Sequence, residues 1–243
     1  MTPGSAGRKT AAVAGADGCR GGWAVALWLA EAPEGREAWR FVVLRGFAEV
    51  LALRPGPAVW AVDVPIGLPE APCPGGRFCD REARRLLGRP RASSVFTPPA
   101  RCLLRTRSYE AVRGRGLNRQ GFHLLPRIRE VDALLDPARQ ERVREVHPEL
   151  CFLELAGRAM RHPKRRAEGR EERRRLLAAA LGRGWDAAWR EACRRLRATA
   201  APDDLLDASV AAWTARRILE GRARRIPADP PRDGRGLRMA IWR

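Results

Sequence analysis

Lysine is almost missing from this chain. Of its 47 basic side chains only Lys9 and Lys164 are lysines, and against 28 acidic residues they leave a formal charge of +19 at pH 7. A surface this basic attracts polyanions, nucleic acid foremost. Arginine bias also has a purely compositional reading, so charge indicates a class of partner without fixing it. Closely paired cysteines are missing too. Cys19, Cys73, Cys79, Cys102, Cys151 and Cys193 are scattered, none in a CxxC pair, which argues against structural zinc and for free thiols. No apolar run reaches the roughly 18 residues needed to span a bilayer. Residues 1–10 lack the apolar core of a secretory signal. These absences lead to the expectation of a cytoplasmic protein without membrane contact, with residues 1–10 a flexible tail and 11–243 a single domain. No internal repeat or linker divides the chain, and no nucleophile elbow with ordered acid and histidine supports a serine hydrolase.

What is present is a succession of short apolar runs. Residues 11–16 lead into Asp17 and are followed by Gly18, Gly21 and Gly22. Residues 23–29 and 39–44 extend the pattern to an antiparallel meander. Residues 46–53 have helical spacing, stopped by Pro55-Gly56-Pro57, and 58–62 form a fourth run that ends in Asp63. Strand, strand, strand, helix, strand is the opening order of the ribonuclease H-like fold. A long Pro-, Gly- and Arg-rich stretch over 64–105 contains one helical piece, 79–87. Further helices are expected at 124–135, 149–156, 176–181, 185–196 and 203–220, with a fifth strand at 143–146 and an edge strand at 238–242. The charge run 161–175 reads as a solvated helix face or a loop entering one. The expected fold is therefore α/β and ribonuclease H-like: a central mixed five-stranded sheet flanked by helices, with a helical and loop insertion and an extra C-terminal edge strand.

Asp17 and Asp63 each end a hydrophobic run, and the ends of strands in an open α/β sheet form the crevice where ligands bind. Two carboxylates brought together there stay ionised only beside a cation, and their oxygens suit Mg²⁺ or Mn²⁺. Glu145 and His147 alternate onto one strand face. Asp204 and Asp207 share one face of the last helix, with Asp203 the better cap. The expected catalytic set is Asp17, Asp63, Glu145 and Asp207, with Glu149 and Asp204 as additional candidate ligands for one or two ions, two being about 4 Å apart. Arg20, Arg91, Ser93, Ser94, Arg101, Gln120 and His147 are candidates for contacts to phosphates or bases.

Seven segments, GADGCRGGW (15–23), VDVPIGLPE (62–70), CDREARRLLG (79–88), RASSVFTPPAR (91–101), GLNRQGFHLLPRIREVD (116–132), EVHPELCF (145–152) and DDLLDASVAAWTARR (203–217), run in order across nearly the whole chain. Together they resemble the domain-of-unknown-function family 429, described as predicted nucleases of ribonuclease H fold. The resemblance implies that fold and acidic positions at Asp17, Asp63, Glu145 and Asp207. A more distant resemblance is to Holliday-junction resolvases, from which the chain departs in the displaced second glycine (Gly21) and in having aspartate as the second acid.

The leading expectation is a divalent-metal-dependent nuclease acting on DNA or RNA. The alternatives are a non-catalytic nucleic-acid or protein-binding module of the same fold, or a phosphotransferase or ATPase of the same superfamily. Against the last stand the chain's length and the lack of a second DxG phosphate loop.

Overall fold

The computed structural model describes residues 11–29, 38–114, 117 and 119–243, the side chain of Gln120 excepted. The tail expected at 1–10 lies outside the described residues. Three apolar strands come first: β1 (Val13–Cys19), β2 (Gly22–Leu29) and β3 (Ala38–Leu44). A short helix α1 (Phe47–Ala52) and strand β4 (Val59–Val62) come next. The remainder is mostly helical: α2 (Phe78–Leu87), α3 (Arg119–Leu134), α4 (Pro137–Gln140), α5 (Pro148–Ala156), α6 (Ala167–Arg195) and α7 (Pro202–Leu219). Strand β5 (Val143–Glu145) lies between α4 and α5, and β6 (Arg225–Ile226) and β7 (Ile241–Trp242) close the chain.

The sheet order is β3-β2-β1-β4-β5, with β2 antiparallel to both of its neighbours and β4 and β5 parallel to β1. A mixed five-stranded α/β sheet is thus present as expected. Strand alternation divides its side chains between two apolar layers. Ala14, Ala16, Val25, Leu27 and Val62 pack on Phe47 of α1 and on Leu125, Ile128 and Val131 of α3. Val13, Ala24, Ala26, Phe41 and Ala61 face Phe152, Leu177, Trp185, Ala208 and Ala212, which come from α5, α6 and α7. Asp17 continues the alternation of Val13 and Gly15, so it belongs to the α7 side.

Helix α7 lies directly on β1 because both surfaces are small. Its inner residues Ala208, Ala211, Ala212 and Ala215 are fully buried. A Cβ added to Gly15 would stand 2.0 Å from the Ala208 carbonyl oxygen and 2.3 Å from the Ala212 nitrogen. Only glycine lets the helix backbone approach this closely.

A buried knot fixes the segment after β4. The Arg77 guanidinium donates to the carbonyls of Ile66 and Gly67 at 3.0 Å each, to both oxygens of Asp80, and to Glu145 at 2.5 and 2.8 Å. Glu145 in turn accepts the Ile66 N–H at 2.7 Å. One arginine thereby ties the end of β5, the loop after Asp63 and the start of α2 together.

Three expectations need adjustment. Helix α3 begins at Arg119 rather than 124 and runs through Pro126. The buried stripe Leu125, Ile128 and Val131 outweighs the local cost of an interior proline. The helices expected at 176–181 and 185–196 belong to one element that starts at Ala167 and breaks at Gly182, where φ is 80°. At the C-terminus, the Arg238 N–H goes to Gln140 Oε1 and the Met239 N–H to the Pro231 carbonyl, both at 2.8 Å. The strand expected at 238–242 is consequently reduced to β7, which pairs with β6 and meets the main sheet through a single bridge to Val146. No helix among the described residues is long and apolar enough to cross a membrane.

Gly15→Ala should cost about 1–3 kcal/mol or more, because the added methyl meets backbone rather than a movable side chain. Urea unfolding of the variant against the wild type measures this, and an unchanged midpoint would contradict the close contact.

Candidate functional site

Parallel pairing sets Ala16 opposite Val62, and the Asp63 N–H donates to the Ala16 carbonyl at 2.9 Å. The next residue on each chain segment is an aspartate, so Asp17 and Asp63 stand side by side, their carboxyls within hydrogen-bond reach. Helix α7, seated on Gly15, brings Asp207 down onto the same corner. All three line a cleft of about 610 Å³. His147, Pro148 and Glu149 form one wall, Leu124 and Arg127 another, and Pro90, Arg91, Ser93, Ser94 and Phe96 overhang the floor.

Asp17 is only 6% exposed, and among the described residues no N–H donates to it. Burial, then the charges of Asp63 and Asp207, push its carboxyl well above the ordinary range. Burial also raises Asp63, partly offset by His147 and Lys164. Asp207, 1% exposed, is pushed up to about 6 by burial, with Lys164 pulling the other way.

The resident cation is Lys164. Its Nζ stands 2.5 Å from Asp207 Oδ2, and its charge is held by Asp207, Asp17 and Asp63, in that order. Sequence reasoning does not find this residue, because a solvated face is the ordinary expectation for the charge run 161–175. Its rarity is the available signal. Arg127 is missed as well: it donates to the Cys19 carbonyl at 2.5 Å and lies over the Trp23 ring, yet in sequence it is one arginine among many.

The other expected site residues divide clearly. Glu145 is not free to join the aspartates, because both its oxygens are taken by Arg77. Glu149 lines the cleft, with Oε1 paired to the buried Arg173 and Oε2 left without a partner. Asp204 lines it as well, but its carboxylate accepts the Ala201 N–H at 2.8 Å and caps α7, a role that spacing assigns to Asp203. Arg91 reaches the cleft while donating to the Met160 and Arg161 carbonyls at 3.0 Å each. The hydroxyls of Ser93 and Ser94 are turned to the carbonyls of Pro90 and Arg91. His147 Nε2 stands 3.3 Å from the Ser94 carbonyl, and its Nδ1 is buried without a partner. Arg20 and Arg101 are not cleft residues; Arg101 is bound to Glu70, Asp132 and Asp233. The Gln120 side chain lies outside the described residues.

Among the described residues no three His, Cys, Asp or Glu side chains are gathered tightly enough to hold a metal ion by themselves. With Lys164 on Asp207, Arg173 on Glu149 and the Ala201 N–H on Asp204, the cleft carboxylates left, among the described residues, with neither a cation nor an N–H partner are Asp17 and Asp63. That pair fits Mg²⁺ or Mn²⁺: the donors are hard oxygens, and Mg²⁺ is commonly held by one or two carboxylates completed by water and substrate phosphates. The pairing of Asp17, 6% exposed, with a second carboxyl rather than with a cation is the observation that supports the fit.

A carboxyl raised in the folded state stabilises most below its unfolded pKa, and that contribution is lost as pH rises through the folded value. In EDTA the wild type should therefore lose stability as pH rises from about 4 and through the Asp207 value of about 6. Asp17→Asn should flatten that slope and be the more stable protein at pH 7.5, by on the order of 1 kcal/mol for each unit of the original shift. Urea unfolding at several pH values measures both, and parallel wild-type and variant profiles would refute the repulsion.

No curated protein and no solved structure matches the chain. A family model matches over residues 15–232, from the turn-side half of β1 to beyond α7. That span takes in every carboxylate of the cleft, and the chain belongs to the family described as "Protein of unknown function (DUF429)".

Proposed function

We propose that this protein is a divalent-metal-dependent nuclease, hydrolysing phosphodiesters of DNA or RNA at the Asp17–Asp63–Asp207 corner, on a ribonuclease H-like fold. The strand order β3-β2-β1-β4-β5 with β2 alone reversed supports the fold reading. The observation that carries the function is the aspartate pair at two adjacent parallel strand ends, Asp17 buried and Asp63 half-buried, carboxyl set against carboxyl and open to a cleft. Asp17 and Asp63 would hold Mg²⁺ or Mn²⁺, which when bound activates water and neutralises charge developing on a phosphate.

The remaining roles belong to the chain itself. Arg91, Arg127 and Arg165 line the cleft and draw the phosphodiester in. Phe96 and Leu124 offer apolar surface for a sugar or base beside it. His147 lines the same wall beside Asp63 and, by turning its buried, unpartnered Nδ1 to the cleft, would receive or deliver a proton.

Lys164 favours a second reading. A cluster that carries its own cation can stay folded without a metal, as a non-catalytic nucleic-acid-binding module would.

Labelled single- and double-stranded DNA and RNA, incubated with Mg²⁺ or Mn²⁺, separate the two. A nuclease cleaves at least one of them, stops in EDTA, and loses roughly 10²–10³-fold in rate in folded Asp17→Asn and Asp63→Asn proteins. Salt-dependent binding without cleavage under either metal supports the binding module instead.

A further inference from the structure

Resting on the metal reading above, the placement of Lys164 bears on how many ions the site takes. The segment that carries it is anchored rather than loose. Arg173, fully buried, donates to the His162 carbonyl at 3.0 Å, and the Arg161 and His162 N–H groups donate to the Glu172 carboxylate at 3.0–3.1 Å. Pro163 is pressed against Gly169, where an added Cβ would fall 2.0 Å from the Pro163 carbonyl oxygen. Arg91 holds the Met160 and Arg161 carbonyls from the other side. From this base the lysine stem reaches into the cleft, 38% exposed along its side chain, and delivers its ammonium to a carboxylate that is 1% exposed.

The choice of cation is informative in a chain that uses arginine nearly everywhere else. A guanidinium is a planar fork matched to one carboxylate or phosphate, whereas an ammonium is a compact point charge with three rotatable donors. A compact charge can interact with Asp207, Asp17 and Asp63 together, as the Lys164 ammonium does. A small ion would act in the same way. Charge balance agrees. With Asp17, Asp63 and Asp207 all ionised, one ammonium leaves that cluster two negative charges, which one divalent ion neutralises and two would overshoot before a phosphate arrives.

We propose that Lys164 is a built-in cation that fills the Asp207 side of the cluster, so that the site binds a single divalent ion, at Asp17 and Asp63. Asp207 then serves to position the lysine, and the ammonium does the charge-neutralising work of a second metal.

Mn²⁺ binding measured by electron paramagnetic resonance of the free ion tests this without reference to activity. The full-length wild type should bind one Mn²⁺, and Lys164→Met should bind two, since the vacated Asp207 becomes a ligand. Lys164→Met leaves a buried carboxylate unpaired and can fail to fold, so the double variant Lys164→Met/Asp207→Asn is measured alongside it. That protein should bind one Mn²⁺ with an affinity within roughly tenfold of the wild type, because the Asp17–Asp63 position does not use Asp207. Two ions on the wild type, a folded Lys164→Met that still binds one, or loss of Mn²⁺ by the double variant would each overturn the inference and leave the metal reading intact. No Mn²⁺ on either wild type or Lys164→Met would overturn the metal reading, and the inference with it.

Discussion

Like charges about 4 Å apart repel by roughly 4 kcal/mol at the effective dielectric near a protein surface, and by more where water is thinner. The backbone sets Asp17 and Asp63 side by side, with their carboxyls within hydrogen-bond reach of each other. Their neighbouring strands are locked in parallel register through Ala16 and Val62, and Gly15 lets α7 bring Asp207 against the pair. The surroundings compensate in three ways. Burial favours the protonated form of the first two aspartates, an ammonium sits on the third, and room is left at the strand ends for a cation from outside. A sheet built for stability alone would have filled these positions with apolar residues, as it does at every other inward position of β1 and β4.

The buried acids around this corner fall into two chemical kinds, separated by partner. Glu145 and Glu149 are each matched to a buried arginine, Arg77 and Arg173. Removing one member of such a pair typically costs about 3–5 kcal/mol, since the other is left as an uncompensated charge. These pairs hold the walls: Arg77 ties the loop after Asp63 to β5 and α2, and Arg173 ties α5 to the segment that carries Lys164. Asp17 and Asp63 have no such partner. Acids fully neutralised by an arginine are architecture, and those still short of positive charge are where a ligand is recognised.

Much of this is legible in the sequence, for physical reasons specific to each element. Asp17, Asp63 and Asp207 can be found because each sits beside an apolar run whose period fixes its element and its face. Glu145 shows the limit. Strand alternation assigns it to the correct element, but its partner Arg77 lies 68 residues away, and nothing local distinguishes a carboxylate that binds a ligand from one that binds an arginine. The exchange of roles between Asp203 and Asp204 is a matter of a single residue at a helix start, where spacing alone does not decide which carboxylate turns back to the Ala201 N–H. The start of α3 escapes detection because a buried stripe, formed only when the sheet is present, outweighs an interior proline.

Arginine abundance also looks different once its uses are visible. Arg91, Arg127, Arg142 and Arg195 donate to backbone carbonyls of distant segments, a task that suits a fork with several fixed N–H groups. Arg101 binds three carboxylates at once. A share of the +19 charge is therefore internal bracing and says little about a polyanion outside. The cleft itself is the better guide to a partner, since Arg91, Arg127 and Arg165 edge a floor of aspartates, an arrangement that attracts a phosphate to the rim and a cation to the base. Against that background Lys164 is the informative exception. Among the described residues arginine supplies the other full cations of the cleft, and its lysine ammonium pairs with Asp207 while its charge also acts on Asp17 and Asp63.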